Sequence, residues 1–350
     1  MSRLGTGPAA EPAGPHDTGA DSGAHTATGE RPPIGVIGAG CMGLAIVQRL
    51  RATGHAVRVR DIDPAREALA AAEGAVVDPS AAALARHCPV VLVVVVDGAQ
   101  VHEVLFGAAG VVQGLAQGAA QDVVQGVAQG MAQPVPPPRT VLLCPTIAPA
   151  DTEAAAAGLA AAGIAAIDAP MSGGPARARD GTMSLMLAGD PALLARHETL
   201  LATLAAQRVV VGSRIGDGAR TKLVNNLLAT INLAGAAEAL ALARHLGLDP
   251  ATTLDVIERS SGQSWIGSER LRRALAGDLA PRAATALLAK DSALALAMAQ
   301  QAGLALHIGP VAAGAFAAAC RAGLATADDA SLLDWMSGQQ GPGSPDAANR

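Results

Sequence analysis

Residues 35–50 read GVIGAGCMGLAIVQRL, and this stretch decides the fold. Gly38, Gly40 and Gly43 stand in the spacing GxGxxG. They follow a short β-branched run, IGVI (34–37), and open a segment patterned as a helix. A strand, a glycine turn and a helix in this order suit a dinucleotide. Gly38 permits the tight turn and Gly40 lets backbone approach a pyrophosphate. Gly43 lets helix and strand pack closely, and the helix start at Cys41 and Met42 offers N–H donors and positive potential.

The next strand candidate, AVRVR (56–60), leads to Asp61, 18 residues after Gly43. A carboxylate there accepts hydrogen bonds from both hydroxyls of an adenine ribose and repels a 2′-phosphate, which favours NAD over NADP. Asp63 suits a different role. It precedes Pro64, and proline is favoured at the first position of a helix, so Asp63 reads as the N-cap. Arg58, Arg60 and Arg66 lie close enough to keep NADP use open.

Outward from the glycine loop, β-rich runs alternate with helical stretches. PVVLVVVV (89–96), TVLLC (140–144) and IAAID (164–168) are the further strand candidates of a parallel sheet, and TMSLMLAG (182–189) and QRVVVG (207–212) follow. The character then changes. Residues 217–247 contain no proline and, away from the two ends, one glycine, Gly235, and predict one helix of about 45 Å. Helical patterns continue to about residue 336, broken at Gly247, Gly262, Gly277–Pro281 and Pro310. The expected fold is therefore α/β: a Rossmann-type doubly wound sheet over 33–214, then an all-α domain over 215–337, joined by the long interdomain helix. Residues 1–32 and 338–350 are Gly- and Pro-rich and read as disordered tails.

The chain has 350 residues, half of them hydrophobic, with two Phe, two Trp and no Tyr. So few rings leave the core to close packing of small side chains. The net charge of −5 and the lack of a dense basic run argue against nucleic acid. No apolar stretch approaches the roughly 18 residues of a membrane span, and no signal-peptide h-region is present. Cys41, Cys88, Cys144 and Cys320 are scattered, with no metal-ligand spacing and no disulfide framework. A reduced, cytoplasmic protein without a metal is expected. Residues 111–134 carry Gln at every fourth position from 113 to 133 among recurring glycines. With the prolines that follow, 111–138 reads as a low-complexity surface insertion.

Two further motifs carry chemistry. DAPMSGGP (168–175) ends a strand with a serine and two adjacent glycines, either as an ordinary turn or as an anion cradle. TKLVNN (221–226) places Lys222 and Asn226 four residues apart on one helix face. A lysine shielded from water has a lowered pKa and can serve as an acid or base near neutrality. A surface lysine is the plainer alternative.

Taken in order, GVIGAGCMG (35–43), DAPMSGGPARARDGTMSLMLAGD (168–190), GARTKLVNN (218–226) and LAKDSALAL (288–296) resemble the β-hydroxyacid dehydrogenase family. The resemblance spans about residues 34–336. It implies that Lys222 is the catalytic acid/base and that Asn226 orients it and the substrate. It implies that Ser172, Gly173 and Gly174 bind a substrate carboxylate, and that Lys290 reaches the cofactor and closes the cleft. Thr146 matches a cofactor-side threonine, and Val95, Val96 and Gln100 fall in a cofactor loop. Trp265, in SSGQSW (260–265), either borders the substrate pocket or is a core aromatic. The implied activity is NAD-dependent interconversion, at a CH–OH group, of a small hydroxy acid, such as a threonate-like sugar acid or 3-hydroxyisobutyrate, and its oxo or semialdehyde form, by a homodimer or homotetramer. VVDGAQ (95–100) and Pro145 depart from the family's usual cofactor loops. An imine reductase, or a dinucleotide-binding sensor without catalysis, are the rival readings; retention of Lys222 argues against both.

Overall fold

A computed structural model describes residues 32–114 and 139–338. The sheet half contains β1 (Ile34–Ile37), α1 (Cys41–Ala52), β2 (Val57–Arg60), α2 (Pro64–Ala72), β3 (Val76–Val77), α3 (Ala81–His87), β4 (Val90–Val93) and α4 (Gly98–Phe106). It continues with β5 (Thr140–Leu143), α5 (Pro149–Ala161), β6 (Ala165–Asp168), β7 (Met171–Ser172), α6 (Gly174–Asp180), β8 (Ser184–Ala188), α7 (Pro191–Arg196), α8 (Glu198–Leu204) and β9 (Gln207–Gly212). The helical half contains α9 (Asp217–His245), α10 (Pro250–Glu258), α11 (Trp265–Leu275), α12 (Thr285–Gln301), α13 (Gly309–Ala319) and α14 (Leu332–Ser337).

Among the described residues the strands form one sheet in the order β3-β2-β1-β4-β5-β6-β8-β7, with β9 paired to β8. The pairs from β3 to β6 are all parallel. Order 3-2-1-4-5-6 is the doubly wound arrangement expected from the alternating pattern, with a ligand crevice at the carboxyl ends of the strands. Alternate residues of β4 feed opposite layers. Leu92 packs with Ile46 and Leu50 of α1, while Val91 and Val93 pack with Leu84, Val101, Leu105 and Leu159 from the other face. Burying each such aliphatic side chain contributes about 1.5–3 kcal/mol.

The long apolar run at 89–96 ends its strand early, at Val93. Its neighbours stop at Ile37 and Leu143, so no ladder partner exists beyond that register. Asp97 then caps α4 by accepting the Gln100 N–H, which turns the chain away. Two short strands, β3 and β7, were not expected, because two residues carry no legible period. Of the low-complexity insertion, residues 111–114 are described, and Val111 is buried in the core; 115–138 and both tails lie outside the described residues.

Helix α9 organises the helical half. Lys222, Asn226, Thr230, Leu233, Ala237 and Leu240 recur every three or four residues and form its buried face. Ala234, Ala237 and Ala241 are buried along it and let neighbouring helices approach closely. By length and composition alone α9 could cross a membrane. Its buried lysine and asparagine, and its packing against α10 to α14 and β8, make it a core helix instead.

Candidate active site

The glycine loop is shaped as its spacing predicts. Gly38 has a φ of 95°, and a Cβ there would meet the Val94 carbonyl at 2.6 Å. A Cβ on Gly43 would lie 1.8 Å from the Gly38 oxygen, so only glycine allows this closeness of helix and loop. Gly40 faces open space. It is the N-cap of α1, no side chain caps that helix, and no acidic residue occupies its first turn. The N–H groups at Cys41, Met42 and Gly43 therefore remain available to an anion, which fits a dinucleotide pyrophosphate.

Asp61 stands at the end of β2. Its Oδ2 accepts the Ala39 N–H at 2.5 Å, and its Oδ1 accepts the Asp63 N–H at 2.9 Å. Each oxygen keeps one further acceptor position, enough for two ribose hydroxyls. Asp63 caps α2 by accepting from Ala65 at 2.9 Å, which frees Asp61 from that task. Val95 and Val96 follow Val94 along the loop, where Gln100 Oε1 accepts the Val96 N–H at 2.9 Å. The glycine loop, Asp61, Val95 and Val96 and the segment after β5 with Thr146 all lie at the carboxyl ends of parallel strands.

DAPMSGGP continues that edge. Ser172 closes β7, paired to Ser184 of β8. Gly173 and Gly174 have φ values of 125° and 74°, conformations that need glycine, and a side chain on Gly174 would enter open space. Asp168 has a role that no motif announces. Fully buried, it accepts from the N–H groups of Gly216 at 2.9 Å and Ala219 at 3.1 Å. It caps α9 from outside, since Gly216, the N-cap itself, offers no side chain. Burial pushes its carboxyl up to about 6, against the pull of these N–H groups. The end of β6 thus fixes the helix bearing Lys222, and the chain that leaves it reaches Ser172 four residues on.

Lys222 is buried, as the plainer surface reading would not allow. Burial lowers its ammonium to about 8, with Asp291 opposing and Lys290 adding to the shift. Asn226, one turn on, donates from Nδ2 to Asp291 Oδ2 at 2.7 Å and accepts from Asn225 at 3.1 Å. Asp291 is a second functional residue that sequence reasoning passed over, although it adjoins Lys290. It holds the Asn226 amide, and its charge opposes the effect of burial on Lys222. Lys290 pairs with Asp291 Oδ1 at 2.7 Å and donates to the carbonyl of Thr146, 144 residues away. This contact links the helical half to the sheet through backbone next to the cofactor edge. Trp265 is not a core aromatic: it begins α11 and is 54% exposed. Its neighbour Gly267 packs on Ala236 of α9, about 15 Å along the axis from Asn226. Burial pushes the thiols of Cys88 and Cys144 up to about 12, so neither is a nucleophile.

A doubly wound sheet with an open phosphate loop, facing a buried lysine of lowered pKa, is the architecture of a dinucleotide-dependent oxidoreductase. Comparison with known proteins narrows this. The family model for the NAD binding domain of 6-phosphogluconate dehydrogenase matches residues 33–121 and 119–212. The model for the NAD-binding of NADP-dependent 3-hydroxyisobutyrate dehydrogenase matches 216–336. The chain is 34% identical over 310 residues to the L-threonate dehydrogenase of Cupriavidus necator, covering 89% of this chain and 98% of that one. It is 32% identical over 232 residues to the 3-hydroxyisobutyrate dehydrogenase of Pseudomonas aeruginosa, covering 66% and 71%. The crystal structure of a 3-hydroxyisobutyrate dehydrogenase from Salmonella typhimurium superposes with a TM-score of 0.75 at 29% identity, covering 87% of this chain and all of that one. The chain belongs to the β-hydroxyacid dehydrogenase family. It is a nicotinamide-dinucleotide-dependent oxidoreductase of hydroxy acids, and neither the imine-reductase nor the non-catalytic reading is favoured.

Proposed function

We propose that this chain oxidises a small sugar acid of the L-threonate type, with NAD preferred over NADP and Lys222 as the acid/base. The observation that carries the mechanism is Lys222 itself, buried and brought to about 8 on the helix face it shares with Asn226. Ser172 and the N–H groups of Gly173 and Gly174 hold the substrate carboxylate. Asn226, fixed by Asp291, orients the reacting hydroxyl toward the lysine. In oxidation the neutral Lys222 amine takes the hydroxyl proton; in reduction its ammonium returns one to the nascent alkoxide. When bound, the nicotinamide ring accepts or returns the hydride. Asp61 supports the NAD preference by its placement and free acceptor positions. Several relatives named L-threonate dehydrogenase, at 29–34% identity over nearly their whole length, support the substrate class.

The dinucleotide-binding domain spans 33–214 and the substrate domain 215–337 in this reading, and the protein works in the cytoplasm as a homodimer or homotetramer. Exposed Val224, Leu228 and Leu242 on α9 suit a helical interface between copies. The test is NAD turnover against threonate, glycerate, 3-hydroxyisobutyrate and 3-hydroxypropionate, with Lys222→Ala alongside. Threonate should give the highest kcat/KM. The variant should lose at least about a thousandfold in kcat while its affinity for NAD is kept. Turnover near the wild-type level in the variant would sink the mechanism.

A further inference from the structure

Three arginines flank Asp61, where a phosphate on the adenine ribose would meet the chain, and two of them are committed elsewhere. Arg58 makes a two-pronged pair with buried Asp78, Nε to Oδ2 at 2.7 Å and Nη2 to Oδ1 at 2.6 Å. Arg60, directly before Asp61, donates from Nη1 to Glu67 Oε1 at 2.6 Å. That same oxygen accepts the backbone N–H of Asp61 at 3.1 Å. The Glu67 side chain is only 14% exposed and that of Arg60 31%, so this contact is partly shielded from solvent and salt. One carboxylate thus fixes the β2–α2 turn, engages the nearest arginine and adds negative charge next to Asp61.

We propose that Glu67 is a second determinant of cofactor choice, acting by neutralising Arg60 beside the ribose-binding Asp61. This rests on the reading of Asp61 given above. With Glu67 ionised, the group of Asp61, Arg60 and Glu67 carries net negative charge, and a 2′-phosphate is repelled. With a neutral residue at 67, the group is neutral and Arg60 has lost its ionic partner. Its guanidinium then becomes a donor for a phosphate, the geometry for which arginine is suited. Glu67 touches neither hydroxy acid nor nicotinamide in this account. It is a specificity residue acting through Arg60.

Glu67→Gln isolates the charge, because the glutamine carbonyl can still accept the Asp61 N–H. Dissociation constants for NAD and NADP, and kcat/KM with each, are measured on the full chain. The NADP-to-NAD preference should shift about tenfold toward NADP, and Glu67→Gln with Arg60→Gln should abolish that gain. Circular dichroism reports whether each variant is folded, and Glu67→Asp provides a charged control that keeps the wild-type ratio. An unchanged ratio in Glu67→Gln, or equal losses for both dinucleotides, would overturn the proposal. A wild-type preference for NADP would overturn only the NAD reading of Asp61, since the Glu67 proposal is judged on the change in ratio.

Discussion

At Lys222 an ammonium group sits where water cannot solvate it, and the protonation state follows. A pKa near 8 leaves the group mostly charged at neutral pH, ready to donate in reduction, yet within about one unit of the neutral base that oxidation needs. The sign is fixed: kcat/KM for oxidation should rise with pH and level off above about 8, and kcat/KM for reduction should fall through the same range. Asp291 raises the Lys222 value, so Asp291→Asn should move the oxidation limb to lower pH. A limb that stays in place, or moves upward, would exclude Asp291 as the charge that tunes this lysine. Lys222 and Asn226 were legible because helical period alone puts them on one face. Asp291 and Asp168 were not. Their partners lie 65 and 48 to 51 residues away, and nothing in local spacing tells a buried carboxylate orienting an amide from one on a solvated helix.

Among the elements, the start of α9 carries the most consequence for its size. A Cβ on Gly218 would lie 2.8 Å from both the Asp168 carboxyl and the Met186 carbonyl. The carbonyl is backbone and the carboxyl is the cap, so neither yields cheaply. Gly218→Ala should destabilise the protein by about 1–3 kcal/mol, read as a lowered denaturant midpoint, and should lower kcat as the turn before Lys222 shifts. Gly235→Ala is the contrast. It sits mid-helix with nothing within 4 Å of a Cβ, and should be neutral or stabilising by up to about 1 kcal/mol. Equal effects of the two would mean that helix propensity, not the Asp168 contact, governs α9. The parallel strands were legible from their β-branched runs, since strands buried on both faces read as continuous apolar segments. The same property misleads at 94–96, where valines continue past the strand. Hydropathy cannot see that β1 and β5 have already ended.

For the molecule as a whole, the question is what holds the helical half against the carboxyl edge of the sheet. Besides the ion pair of Arg220 on α9 with Glu153 on α5, at 2.5 Å, two links cross near the site. Asp168 reaches from β6 to the first turn of α9, and a chain of polar contacts runs from Asn226 through Asp291 and Lys290 to the Thr146 carbonyl. The first link is buried and lies within the cap. The second ends on a lysine whose side chain is 27% exposed, so its contribution to stability is discounted for solvent. Its value lies in geometry: it ties the residue that orders Asn226 to the loop on the cofactor edge. Lys290→Met keeps the length of the side chain and removes its donors. Circular dichroism and the unfolding midpoint should change little, while KM for both dinucleotide and hydroxy acid should rise about tenfold or more, because closing the cleft no longer gains this contact. A large fall in the unfolding midpoint with unchanged KM would make the link a structural staple. A rise in both KM values in a protein of near-normal stability would assign it to closure of the cleft.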